Sequence, residues 1–79
     1  MERLQAAYAH LQAGDWSAAH EIVQADDSAL ASWMHALVHL LEGDEPNASY
    51  WFRKARRPEC TLDQLEAELE QIKTLMEGK

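Results

Sequence analysis

Cysteine is nearly missing from this chain: Cys60 stands alone. One thiol closes no intrachain disulfide. Small secreted domains usually need several, so a cytoplasmic location is expected. Glycine and proline are scarce, three and two in 79 residues, which excludes collagen-like and low-complexity classes. No apolar run approaches the ~18 residues of a membrane span. The opening Met-Glu-Arg-Leu-Gln lacks the basic and apolar regions of a secretory signal. Basic residues are few as well: 7 Lys+Arg against 14 Asp+Glu, a formal charge of −7. Such a chain repels nucleic-acid phosphates and anionic membranes, so neither is an expected partner. Catalytic signatures are also lacking. There is no Gly-x-Ser-x-Gly, no Walker glycine loop and no Cys-x-x-Cys. The Glu66/Glu70 pair reads as solvated charge, and no catalytic residue is expected.

What remains is helical material. Apolar residues make up 47% of the chain, enough for one small domain and too much for a disordered tail. A domain of this size buries only about 60% of its unfolded surface. Little is left to wall a deep pocket, so a solitary enzyme is not expected. Gly14-Asp15 and Gly43-Asp44 each read as a helix stop followed by a helix start. Asp26-Asp27-Ser28 offers a third boundary and Pro58 a fourth, while Thr61 and Gln64 have capping-box spacing. These signals predict an all-α fold of five helices over about 2–13, 16–25, 28–42, 45–57 and 62–77. Arg53, Lys54, Arg56 and Arg57 form a basic block with acids on both sides. It reads as an anion site or as a helix end, where cations complement the dipole.

The chain also repeats itself. Shifted by 29 residues, AYAHLQAGDWSAAHEIVQ (7–24) aligns with ALVHLLEGDEPNASYWFR (36–53), with six of eighteen positions identical. Each copy is a helix, a Gly-Asp turn and a second helix. The helices of a hairpin approach closely only where small residues face each other, as Ala7 and Ala19 do in the first copy and Ala36 and Ala48 in the second. Neither hairpin can bury its apolar face alone, so the two should stack.

In this order of residues the chain resembles the tetratricopeptide repeat. That motif keeps a glycine at the inter-helix turn, an alanine five residues on, an aromatic four further and an alanine three beyond. Gly43, Ala48, Phe52 and Ala55 follow it. Gly14, Ala19 and Val23 follow it in the first copy, where Asp26 stands in place of the last alanine. The resemblance spans about residues 4–57, and its offset of 29 is shorter than the ~34 typical of the repeat. It implies two stacked hairpins (about 2–25 and 28–57) in a short right-handed solenoid, with 62–77 as a capping helix. The first helices would line a concave face that binds a partner segment. The strings AHEIVQ, WMHALVHLLEGD and NASYWFRKA also resemble small uncharacterised bacterial helical proteins of this layout, a likeness that implies a fold and no activity.

The expected function is therefore a small protein–protein interaction module. Its partner face would draw on His10, His35 and His39, with Tyr8 and Trp33 nearby. The acidic first half predicts a basic or amphipathic partner. The alternative is a metal- or small-ligand-binding protein. His35 and His39, four apart, share a helix face, and the repeat sets His10 equivalent to His39. Three imidazoles can hold zinc with one position open, and Glu21 or Glu42 could complete the set. Histidines that merely bond at helix contacts would look the same in the sequence. In the last helix Leu62, Leu65, Leu69, Ile72 and Met76 recur in a 3-4-3-4 pattern. That seam pairs two chains into a weak homodimer or folds back to leave a monomer.

Overall fold

A computed structural model describes residues 2–78. Among them are five α-helices: α1 (Glu2–Gln12), α2 (Trp16–Val23), α3 (Ala29–Glu42), α4 (Glu45–Lys54) and α5 (Leu65–Glu77), the last entered through a 3₁₀ turn at Leu62–Gln64. No strand occurs among the described residues.

The boundaries follow from local chemistry. Gly14 and Gly43 hold φ of +78° and +90°, the left-handed region that a side chain disfavours. At the first turn the N–H groups of Gly14 and Asp15 donate to the carbonyls of Leu11 and His10; at the second, Gly43 and Asp44 donate to Leu40 and His39. These are matching Schellman turns, 29 residues apart. Each aspartate then starts the next helix. The Asp15 carboxylate accepts from the Ala18 N–H at 3.2 Å, and that of Asp44 from the Asn47 N–H at 3.4 Å. Ser28 caps α3 by accepting from the Ala31 N–H. At Thr61 the backbone N–H donates to Gln64 Oε1 at 3.0 Å.

Two expected helix ends shift. α2 stops at Val23 and α4 at Lys54. α4 ends early because Arg56 takes φ +60°. That lets Arg56 and Arg57 donate to the carbonyls of Arg53 and Phe52. A third turn of the same kind is thus built with arginine in glycine's place.

α1 packs on α2 and α3 on α4, as two hairpins, and α2 lies along α3. α3 is the central element. Every residue from Ala31 to Leu40 is buried, as expected of a helix covered on all sides. Ala7, Ala19, Ala36 and Ala48 are all within 2% of full burial, at the positions where the repeat calls for close approach. Val23 and Phe52, one turn past Ala19 and Ala48, are 1% exposed.

α5 folds back on its own chain. Leu69 and Ile72 enter the common core, and the helix runs against α1. It also reaches α3, where Trp33 Nε1 donates to Glu68 Oε1 at 2.7 Å. The helix expected as a cap therefore touches both hairpins, through α1 and α3. On α1 the residues beside α5 are Gln5, Tyr8 and Gln12. No helix among the described residues is long and apolar enough to cross a membrane.

Candidate functional site

Three histidines converge where the hairpins meet. α3 contributes His35 and His39, one turn apart, and α2 contributes His20 from its last turn. The ring centroids lie 4.8 Å apart for His20–His35, 5.0 Å for His35–His39 and 5.6 Å for His20–His39. One ring nitrogen from each lies within 4.8 Å of the others. α4 closes a side: the Trp51 indole stacks on His35 at 3.8 Å with 9° between planes, and Lys54 Nζ sits over the Trp51 ring.

The rings differ in exposure and partners. His35 and His39 are buried and His20 is half-buried, so the cluster opens toward solvent on the α2 side. His39 Nδ1 lies 2.8 Å from Glu42 Oε1. A carboxylate oxygen accepts, so Nδ1 donates in this bond and Nε2 is the ring nitrogen left for a further partner. The ring nitrogens of His20 and His35 make no hydrogen bond to protein among the described residues. Burial pushes the His35 imidazole down to about 4, with His20, His39 and Lys54 adding cationic repulsion. His35 is thus neutral at pH 7, with a lone pair to offer. Imidazole nitrogens this close are the donor set that borderline divalent ions take. A tetrahedral zinc ion would bring the nitrogens to about 3.3 Å from one another.

His39, Glu42 and Asp44 also come together. Asp44 is already engaged, bonding the backbone and side-chain N–H groups of Asn47, so this second grouping is less free to bind.

The expected site residues fall in different places. His35 and His39 are in the cluster. His10 is half-buried at the end of α1 and lies outside it, because α2 runs along α3 more extensively than α1 does. His20 takes its place. The 29-residue shift pairs His20 with Ser49 and so gave no reason to single it out. The signal that was present is its position directly after Ala19, on the helix that joins the hairpins. Trp33 is 3% exposed and faces away from the cluster, with the Arg57 guanidinium 3.9 Å over its ring. Tyr8 is half-buried in a cleft with Glu66, Leu69 and Glu70 of α5. Trp33, His35 and His39 are interior, so the five residues do not share an open face.

Cys60 is half-buried, and burial, helped by Glu68, pushes its thiol up to about 11. It stays protonated at neutral pH and is a weak nucleophile. Of the basic block, Arg53 and Lys54 occupy the last turn of α4. Arg57 bonds Gln71 on α5 at 2.8 Å.

No protein-family model, curated protein or solved structure matches this chain.

Proposed function

We propose that the protein is a small cytoplasmic binding module with no catalytic activity, in which the histidine cluster receives the ligand. The observation that carries this reading is the convergence of His20, His35 and His39 from both hairpins, half-open to solvent and walled by Trp51. A tetratricopeptide-like stack of the hairpins belongs to the same proposal. The matching Schellman turns and the four buried alanines support it. Native mass spectrometry of protein purified gently from its host tests the reading. The expected spectrum carries an added mass in the natural protein that disappears in His20→Ala. An unmodified mass in both forms counts against the cluster as the ligand site.

A second reading is favoured by charge. Residues 1–50 hold eight acids and one base, and the cleft between α1 and α5 sets Tyr8 beside Glu66 and Glu70. A basic or amphipathic partner segment suits that cleft. Co-purification from host extract should yield a partner that Glu66→Lys/Glu70→Lys releases and His20→Ala retains. A partner kept by the charge-reversed form sinks this assignment.

A further inference from the structure

Resting on the reading of the cluster as a ligand site, we infer that the ligand is a divalent zinc-class metal ion, held by the imidazoles of His20, His35 and His39 with Glu42 orienting His39. Three features converge on this chemistry. The first is the donor set: three imidazoles with nitrogens within 4.8 Å of one another. Imidazole nitrogen suits zinc and its neighbours and is a poor ligand for calcium or magnesium, which require oxygen. The second is the outer contact. Metal-bound histidines almost always give their other ring N–H to a carboxylate, carbonyl or water, and the 2.8 Å bond from His39 Nδ1 to Glu42 has that form. It leaves Nε2 as the coordinating atom. The third is the lack of protein partners for the ring nitrogens of His20 and His35 among the described residues, although His35 is only 5% exposed. Their nitrogens are not among the buried atoms left without a partner, so they keep access to solvent and stay free to take up an ion.

The element arrangement defines what the ion does. His20 belongs to the first hairpin and His35 and His39 to the second, so one ion ties the two hairpins together. Three protein ligands leave a fourth position free, as in zinc sites that bind water or an exogenous ligand. His20 is the half-buried member, so the fourth position opens on its side.

Isothermal titration of chelator-stripped full chain with zinc chloride tests the inference. One ion per chain is expected, with Kd below about 1 μM, an ordinary range for a specific site. His20→Ala should weaken binding at least about a hundredfold, beyond the 10–100-fold that outer-contact losses cost. Glu42→Gln should fall within that 10–100-fold range. His10→Ala, outside the cluster, should bind as the unmodified chain does. Circular dichroism confirms that each variant is folded, and Glu42→Gln, on an exposed side chain, keeps the test open if a histidine variant unfolds. With cobalt(II) in place of zinc, the visible band should shift in Glu42→Gln and stay put in His10→Ala. A purely structural Glu42 would leave that band unmoved. Absence of saturable zinc binding overturns the inference, as does equal weakening by His10→Ala and His20→Ala. If zinc fails to bind while an organic mass still depends on His20 in the mass spectrum, the metal is wrong and the ligand site stands. If neither binds, both readings fall.

Discussion

His35 carries an imidazole that burial holds neutral, and its proton equilibrium is coupled to folding. Its pKa is about 4 in the folded chain against the ordinary 6.5, so between those values the unfolded chain takes up a proton that the native chain refuses. Stability is therefore complete above pH 6.5 and lost as pH falls toward 4. At about 1.36 kcal/mol per pH unit, the loss reaches up to about 3 kcal/mol. Urea midpoints of metal-free protein across this window should show that loss in the natural chain and a flatter profile in His35→Gln. Equal profiles would show that His35 does not titrate between the two states. Arg56 is a second residue under local tension. A non-glycine residue at positive φ costs about 1–2 kcal/mol, while glycine costs about 0.5–1 kcal/mol in chain entropy. Arg56→Gly should then raise stability by about 0.5–1 kcal/mol. A destabilised Arg56→Gly in a denaturant titration would mean that its side chain makes a contribution larger than its backbone strain.

The helices themselves rest on paired turns. Gly14 and Gly43 leave open space where a Cβ would sit, so replacement there is penalised by backbone conformation alone. Gly43→Ala should cost about 1–2 kcal/mol, and Gly14→Ala the same, measured by thermal or urea unfolding. Unequal costs would break the equivalence of the two turns. Close approach of paired helices depends on small residues instead. Ala48 is 2% exposed, and Ala48→Leu should cost about 1–3 kcal/mol by overpacking. These features could be read directly from residue order, since capping and left-handed glycines are local. The early stop of α4 could not. It depends on a non-glycine residue accepting a conformation that no propensity assigns it.

Taken whole, the chain is closed by α5. Ile72 is fully buried, and Ile72→Ala should cost about 2–5 kcal/mol. With Leu69 and Ile72 turned inward, the coiled-coil seam is spent within the chain, and the protein should sediment as a monomer of 9.0 kDa. A concentration-dependent dimer in sedimentation equilibrium would mean that the exposed Leu62 and Leu75 carry an interface of their own. The histidine cluster is likewise a property of the assembled bundle, since neither hairpin holds all three rings.

Residue order determined the number of helices and their turns, because each depends on contacts within a few residues: a cap, a glycine, a three-four apolar spacing. It also placed His35 and His39 on one face. Which third histidine joins them was decided only in three dimensions. The repeat made His10 equivalent to His39, but equivalence in a repeat is not proximity. The helix lying along α3 is α2, and it carries His20. Enclosure of His35 by Trp51 was decided the same way. A face that is apolar in the sequence is covered by whichever element packs on it, and that choice depends on long-range contacts that no local spacing records.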